Sequence, residues 1–226
     1  MPADLRRIVA IDGPAGAGKT TISRRAAGEL GLAYLDTGAM FRALALALGE
    51  GGHALPEAAI DARLAAMTFA LDGSGAATAL LVDGHPLPDA ARTEEVGRWA
   101  SGLAVLPVVR RRLRLAQQAL GRTTDLLAEG RDMGTVVFPG AACKFFLDAA
   151  AEVRAARRVR QLAALGRPAA YDAILAAIRE RDERDRNRAE APLAAAPDAV
   201  VIDTSDMTED AVVARIVAAA AAKTGR

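Results

Sequence analysis

The chain has 226 residues, of which 29 are basic and 28 acidic, so its net charge is +1. This length can bury one sizeable core, with or without an inserted subdomain, and the even charge argues against a protein that binds nucleic acid through its overall charge. One cysteine and two histidines exclude an intramolecular disulfide and argue against a Cys/His metal cluster, and no apolar run has the length of a membrane span or a signal peptide.

Short apolar runs alternate with helix-like segments from the start of the chain. Ile8 to Ile11 predicts a buried strand, and Thr20 to Leu30 predicts a helix that ends at Gly31. Leu32 to Leu35 predicts a second strand, and Met40 to Leu48 a second helix. A strand, a glycine-rich loop and a helix in this order indicate an α/β fold.

The middle of the chain has a different pattern. Met67 to Leu71 and Ala79 to Val82 are β-like runs, with turn sequences at 72–75 and 83–86. They predict a small antiparallel insert at about residues 64–92. The rest is expected to form the core of one domain, over residues 1–63, 93–150 and 190–226.

Helix-like sequence returns from Glu94 to Leu120, with an interruption at Pro107. An arginine-rich helical region follows at 151–188, broken at 166–168, and 210–223 predicts a last helix. Three further runs are short and apolar, as parallel central strands are: Leu126–Ala128, Lys144–Leu147 and Val200–Ile202.

One motif carries specific chemistry: Gly13-Pro14-Ala15-Gly16-Ala17-Gly18-Lys19-Thr20 fits the phosphate-binding loop G-x-x-x-x-G-K-[ST]. Its backbone N–H groups curl around phosphate oxygens, and the following helix presents its positive end. Lys19 is expected to reach the β and γ phosphates, and the Thr20 hydroxyl can bind Mg²⁺. Because the motif lies between a predicted strand and a predicted helix, it predicts binding of a nucleoside triphosphate.

The loop alone does not separate switches, motors and kinases. No Asn-Lys-x-Asp for reading guanine is present, and Leu126 to Glu129 is a weak match to the acidic strand of a motor. Arginine and aspartate residues instead stand at the ends of several predicted elements: Asp36, Arg42, Arg131, Asp132 and the run 180–188. Two phosphorylated ligands that meet head to head need such a set, because arginines neutralise the charge on both sides of the transferred group.

The run Glu180-Arg181-Asp182-Glu183-Arg184-Asp185-Arg186-Asn187-Arg188 could be an ordinary solvated helix face. At ~100° per residue, however, one stripe holds Arg181, Arg184, Asp185 and Arg188. The same stripe continues the apolar line of Ile174, Ala177 and Ile178. Arginines on a core-facing line require an anionic partner, whereas Asp182 and Glu183 are expected on the helix surface.

Four blocks together resemble the signature of bacterial cytidylate kinases: Gly13–Thr20, Asp36–Arg42, Glu129–Pro139 and Glu180–Arg188. The resemblance implies a P-loop kinase fold, with a central parallel sheet flanked by helices, the β insert as a monophosphate-binding subdomain, and a helical lid at about 151–170. It implies phosphorylation of CMP and dCMP by ATP with Mg²⁺. A cytoplasmic monomer without nucleic-acid or membrane partners is expected.

The resemblance also implies a role for each site residue. ATP would be bound by Gly13 to Thr21, with Arg157 and Arg158 from the lid. The monophosphate would be held on its phosphate side by Thr37 and Arg42. The cytosine ring would be read by Ser101, Arg110 and Asp132, and the ribose hydroxyls by Asp185. Phosphate would be contacted by Arg131, Arg181 and Arg188, which with Lys19 are the expected catalytic residues.

Asp132 also fits the base on chemical grounds, since a carboxylate accepts from the 4-amino group of cytosine but repels the oxygen of uracil. The chain departs from the family pattern at three positions. Tyrosine is common in place of Phe41, glycine or serine in place of Thr20, and aspartate in place of Glu129. Two alternatives stay open: a P-loop kinase of UMP, shikimate or gluconate, and a nucleotide-dependent binding module. The second set of anion-binding residues argues against the module.

Overall fold

The computed structural model describes residues 7–224 and is built around a parallel sheet. The strands in this part of the chain are β1 (Ile8–Asp12), β2 (Ala33–Asp36), β3 (Phe69–Asp72), β4 (Ala79–Val82), β5 (His85–Pro86), β6 (Leu126–Gly130), β7 (Cys143–Asp148) and β8 (Val200–Asp203). The α-helices are α1 (Lys19–Leu30), α2 (Thr37–Leu48), α3 (Glu57–Ala65), α4 (Glu94–Leu103), α5 (Pro107–Thr123), α6 (Ala151–Ala164), α7 (Tyr171–Asn187) and α8 (Glu209–Thr224).

Five strands form the central sheet in the order β2–β6–β1–β7–β8, and each neighbouring pair is parallel. The central strand β1 is buried along its whole length, as is β6. Continuous apolar sequence suits such strands because helices cover both faces of the sheet. The carboxyl ends of β1 and β6 meet at one edge, where Asp12 is in register with Gly130. The predicted α/β class is confirmed.

Alternate side chains of β1 enter two separate cores. Ile8 and Ala10 belong to the core formed with α2, α4 and α5, whereas Val9 and Ile11 belong to the core formed with α1 and α8. This period of two is the geometry of an extended strand. The sheet therefore lies between two helical layers, and the loops at its carboxyl edge remain free to form a site.

Capping residues set the ends of the first two helices. Gly31 closes α1 as predicted, with a φ of 63° in the left-handed region. Helix α2 begins at Thr37 rather than at the predicted Met40, because the Asp36 carboxylate accepts a hydrogen bond from the Ala39 N–H at 3.1 Å. Within residues 7–224, no helix combines the length and the apolar character needed to cross a membrane.

The insert is a three-stranded antiparallel sheet of β3, β4 and β5, as predicted. Its turn at residues 73–78 lies on α1 and β2. The Tyr34 N–H donates to Oγ1 of Thr78 at 3.1 Å, and the Arg24 guanidinium donates to the Ala76 carbonyl at 2.7 Å. The insert is therefore attached to the core at its tip as well as at its two chain ends.

The predicted inward arginine face is confirmed for the C-terminal half of α7. Arg181 and Arg184 are half-buried there, and Asp185 is buried. Helix α7 ends at Asn187, so Arg188 points inward from an extended residue beyond the helix, where it is also buried.

Two expectations about the same helix are wrong. The upstream stripe does not face the core, since Ala177 is exposed and Ile174 and Ile178 are only half-buried. Asp182 is buried rather than on the surface, because Arg154 of α6 binds its carboxylate at 2.5 Å. The neighbouring helix thus takes the place of solvent on this side of α7.

Gly121 offers a test of packing between α5 and the segment after β6. A methyl group at this position would lie 2.5 Å from Cε1 of Phe138. We expect Gly121→Ala to lower the free energy of unfolding by about 1–3 kcal/mol, since overpacking outweighs the helix propensity that alanine adds. Urea denaturation measures this change. Gly140→Ala is the control, because nothing lies within 4 Å of its added methyl group; equal stability of the two variants would contradict the prediction.

Candidate active site

The phosphate-binding loop joins β1 to α1 at the carboxyl edge of the sheet. Gly16 and Gly18 have φ of 80° and 85°, a conformation that favours glycine. No side chain caps the start of α1, which leaves its first N–H groups available to an anion. Thr20 and Thr21 are exposed in this first turn. The loop and the helix therefore present an open, positively polarised surface.

Lys19 is buried beneath the loop, where its ammonium donates to the Pro14 carbonyl at 2.7 Å. Burial and, to a smaller extent, the nearby Arg131 lower the pKa of Lys19 to about 7, although the Glu129 carboxylate opposes this shift. An anion bound at the loop would restore the ordinary pKa of the lysine, because it favours the charged form. The Lys19 ammonium is thus positioned to bind a phosphate.

Three arginines share one carboxylate. Arg131, Arg181 and Arg188 lie 3.1, 4.0 and 4.0 Å from the Asp185 carboxylate. Burial opposes ionisation of Asp185, but Arg131 and Arg181 outweigh it and hold the pKa of this carboxyl below its ordinary value. The sequence placed all four residues in the site, and the structure brings them together.

Arg181 and Arg42 extend this positive cluster. Nε of Arg181 is buried and has no hydrogen-bond partner among the described residues. Burial and the neighbouring Arg131 lower the pKa of Arg181 to about 10. Arg42 donates to the carbonyls of Ala91 and Thr93 at 3.2 and 3.1 Å, which directs it along α4. Their mutual repulsion makes the cluster a site for an anion.

A second group surrounds Asp132, just beyond β6. Asp132 binds Arg110 at 2.5 Å and lies 3.5 Å from Arg188. Burial raises the pKa of Asp132, although both arginines oppose the shift. Nearby, Arg184 donates to Oγ of Ser101 at 2.9 Å. Arg184 lies on the predicted inward stripe but was not assigned an individual role from sequence.

Thr37 lies at the start of α2 and contacts the end of β6. Its hydroxyl donates to the Glu129 carbonyl at 2.6 Å. The hydroxyl oxygen keeps lone pairs that can accept a further hydrogen bond.

The lid residues have protein partners in this structure. Arg157 donates to the carbonyl and hydroxyl of Thr204 at 2.5 and 3.1 Å, and Arg158 pairs with Glu94. Arg157 therefore reaches the loop only indirectly, since Oγ1 of Thr204 lies 3.5 Å from the Ala17 carbonyl.

Arg154 is the arginine of α6 that contacts the phosphate-binding loop directly. It donates to the Ala15 carbonyl at 3.0 Å and to the Ala149 carbonyl at 2.8 Å, and it binds both oxygens of Asp182. Both members of this ion pair are buried. The pair fixes α6 and α7 against the loop. From sequence, Arg154 was expected only as part of the lid, and Asp182 on the helix surface.

Two further carboxylates were not among the predicted site residues, although Glu129 was noted in the sequence. Asp12 accepts the N–H groups of Met133 and Gly134 at 2.7 and 2.8 Å, and burial raises its pKa to about 6. Burial, followed by the neighbouring Asp36, raises the pKa of Glu129 to about 7. Asp12 ends β1, and Glu129 is the acidic residue at the end of apolar β6. An acidic residue at the end of a buried strand was therefore the sequence signal that could have identified both residues.

The oxygen ligands near the loop suit a magnesium ion. The hydroxyl of Thr20 lies near enough to the carboxylate of Glu129 to favour its ionised form, so two hard oxygen donors are close to one another. Residues 7–224 contain no cluster of three or more His, Cys, Asp or Glu that could hold a metal by itself. This set fits an ion that takes its other ligands from water and phosphate oxygens, as Mg²⁺ usually does.

A phosphate-binding loop opposite a cluster of arginines, at the carboxyl edge of a parallel sheet, defines a P-loop phosphotransferase. The family model described as cytidylate kinase matches residues 9–222. The chain therefore belongs to the cytidylate kinase family. Membership implies a nucleotide phosphoryl donor and typically a divalent metal ion.

The sequence is similar to those of curated relatives over most of their length. The chain is 54% identical to a cytidylate kinase of Nitratidesulfovibrio vulgaris strain Hildenborough, over 93% of this chain and 90% of that protein. It is 52% identical to a cytidylate kinase of Oleidesulfovibrio alaskensis, over 92% and 95%. A shikimate kinase structure from Bacteroides thetaiotaomicron is more remote, with 11% identity over 97% of this chain and 99% of that one, at a TM-score of 0.49.

The buried pair of Arg154 and Asp182 gives a stability prediction. We expect Arg154→Met to lower the free energy of unfolding by about 3–5 kcal/mol, because it leaves the Asp182 carboxylate buried and unpaired. Arg25→Met is the control, since it breaks an exposed pair with Asp210 that is worth less than about 1 kcal/mol. Guanidinium denaturation of both variants measures the difference, and similar losses would contradict the prediction.

Proposed function

We propose that this chain transfers the γ-phosphoryl group of ATP to CMP and dCMP, giving CDP and dCDP. The observation that carries the proposal is the buried Asp132, held by Arg110 beside a cluster of arginines that share one carboxylate. Asp132 is suited to accept from the 4-amino group of cytosine, and Arg110 to donate to the ring. The base pocket thus adjoins the phosphate pocket.

The donor is proposed to bind at the loop, Gly13 to Thr21. The backbone N–H groups of the loop and the first turn of α1 face its phosphates, and Lys19 supplies a positive charge beneath them. Thr20 and Glu129 would hold Mg²⁺ through oxygen, and the ion would neutralise charge on the phosphates. Arg157 and Arg158 are proposed to leave Thr204 and Glu94 when the lid closes on ATP.

The acceptor is proposed to bind between Thr37, Arg42 and the arginine cluster. Arg42 and Arg131 then approach its phosphate, while Asp185 approaches the ribose hydroxyls. Asp185 is ionised at neutral pH, since its pKa is held below the ordinary value. It can therefore accept a hydrogen bond from a ribose hydroxyl.

The transfer needs no protein base in this arrangement. An oxygen of the CMP phosphate forms a bond to the γ phosphorus, and the bond from that phosphorus to the bridging oxygen of ADP breaks. Arg131, Arg181 and Arg188 stabilise the charge on the equatorial and bridging oxygens. Positioning by the two pockets supplies the rest of the rate enhancement.

The division of the chain into moving parts belongs to the same proposal. The core comprises residues 1–63, 93–150 and 190–226, the monophosphate-binding insert about 64–92, and the lid about 151–170. Closure of the lid would exclude water from the γ phosphate and so prevent hydrolysis. A monomer in the cytoplasm, with small-molecule substrates, remains the prediction from sequence.

A coupled assay for ADP tests the acceptor. Purified protein with Mg-ATP is supplied in parallel with CMP, dCMP, UMP, AMP or no acceptor. We expect rapid ADP formation with CMP and dCMP, and at least about 10-fold lower kcat/KM with UMP, since a misplaced hydrogen-bonding group costs more than 1.4 kcal/mol. Equal rates with UMP would contradict the role of Asp132, and ADP formation without any acceptor would favour a different function.

Two arginines of the same helix separate catalysis from surface charge. We expect Arg181→Met to lower kcat by about 10³-fold, because it removes a guanidinium that neutralises the transferred group. Arg186→Met is the matched control, since Arg186 is exposed on the opposite side of α7. Steady-state kinetics with CMP measure both, and a loss of less than about 10-fold in kcat for Arg181→Met would contradict its catalytic role.

A further inference from the structure

The side chain of Tyr34 connects the insert to the active site. Tyr34 lies on β2, and its hydroxyl donates to Oε1 of Glu129, at the end of the adjacent strand β6. Both side chains are buried. A tyrosine hydroxyl inside a protein requires a partner, and this one uses an active-site carboxylate.

Tyr34 is held from three sides. The guanidinium of Arg24 lies over its ring, 4.7 Å from the ring centroid. The same guanidinium donates to the Ala76 carbonyl, and the Tyr34 N–H donates to Oγ1 of Thr78. Arg24 fixes the ring and Thr78 fixes the backbone N–H, so the hydroxyl has little freedom to leave Glu129. The turn of the insert therefore sits directly on this tyrosine.

Glu129 lies between the phosphate-binding loop and Thr37, so the orientation of its side chain affects the site. Its carboxylate lies near enough to the Thr20 hydroxyl and the Lys19 ammonium to interact electrostatically with both. Its backbone carbonyl accepts from Thr37, on the acceptor side of the site. A glutamate side chain has three rotatable bonds, so a fixed partner for its carboxylate reduces the number of orientations that it can take.

We propose that Tyr34 is a positioning residue, which holds the Glu129 carboxylate beside Thr20 and Lys19 for binding of Mg-ATP. The proposal rests on the proposed function only in taking ATP as the donor. The insert then has a second role, because its turn at 73–78 contacts Tyr34 and Arg24 and fixes the tyrosine in place. The task needs only the hydroxyl of Tyr34, because the ring and backbone contacts remain in a phenylalanine variant.

Tyr34→Phe tests the proposal, with Tyr171→Phe as a matched control. Tyr171 is the other tyrosine of the chain and is exposed at the start of α7. Binding of a fluorescent ATP analogue is titrated with Mg²⁺, without any acceptor. We expect Tyr34→Phe to raise the Mg²⁺ concentration for half-saturation at least about threefold, whereas Tyr171→Phe leaves it unchanged. An unchanged value in Tyr34→Phe would overturn the proposal.

A double-mutant cycle shows whether Tyr34 acts through Glu129. Tyr34→Phe, Glu129→Gln and the double variant are compared in the same titration and in steady-state kinetics. We expect the double variant to be no worse than Glu129→Gln alone, and KM for CMP in Tyr34→Phe to match the wild type. If the effects of the two single substitutions multiply fully in the double variant, Tyr34 acts elsewhere. An equal rise in KM for both substrates in Tyr34→Phe would show the same.

A second variant keeps the test decisive if Tyr34→Phe does not fold. Arg24→Met removes the cation over the ring and leaves the hydroxyl in place, so a smaller rise in half-saturation is expected; no rise would contradict the proposal. The binding assay contains the protein, Mg²⁺ and the fluorescent ATP analogue, but no acceptor. If the wild type binds the analogue but does not phosphorylate CMP, the proposed function fails while the inference about Tyr34 stands.

Discussion

The candidate site depends on an imbalance of charge, because its arginines outnumber the carboxylates that face them. Asp185 faces the guanidinium groups of Arg131, Arg181 and Arg188, and the buried Nε of Arg181 has no hydrogen-bond partner among the described residues. Such an arrangement is unfavourable by itself, because partly buried cations repel one another. In the proposed function, this free energy is recovered when the phosphates of the substrates bind. Affinity for anions is therefore built into the fold before any ligand arrives.

Buried carboxylates and one ion pair hold this charge in position. Asp12 ties the loop after β6 to β1 through two backbone N–H groups, and the pair of Arg154 and Asp182 fixes α7 to the phosphate-binding loop. These residues join elements that are more than a hundred residues apart in several cases, such as Asp12 and Met133. The two proposed pockets, for donor and acceptor, are consequently tied to one another along the sheet edge.

Local signals in the sequence predict most of the fold and much of the site. The strand, loop and helix around Lys19 are confirmed because their signals lie within a few residues of one another. Helix α3 was not predicted, since its buried apolar positions are only Ile60 and Leu64. The burial of Asp182 was missed for a different reason: helical periodicity gives the direction of a side chain but not which neighbour lies there. Contacts such as that of Arg154 with Ala15 depend on the tertiary fold and leave no local pattern.

The bond from the Tyr34 N–H to Thr78 also concerns the solubility of the protein. Strand β2 forms one border of the central sheet, and an open border offers unpaired N–H groups to the strands of other molecules. The insert places a threonine hydroxyl against one of these groups and covers the border with its turn. A shorter insert would leave β2 open to edge-to-edge pairing between chains. The same segment that is proposed to bind the acceptor therefore also protects the sheet from self-association.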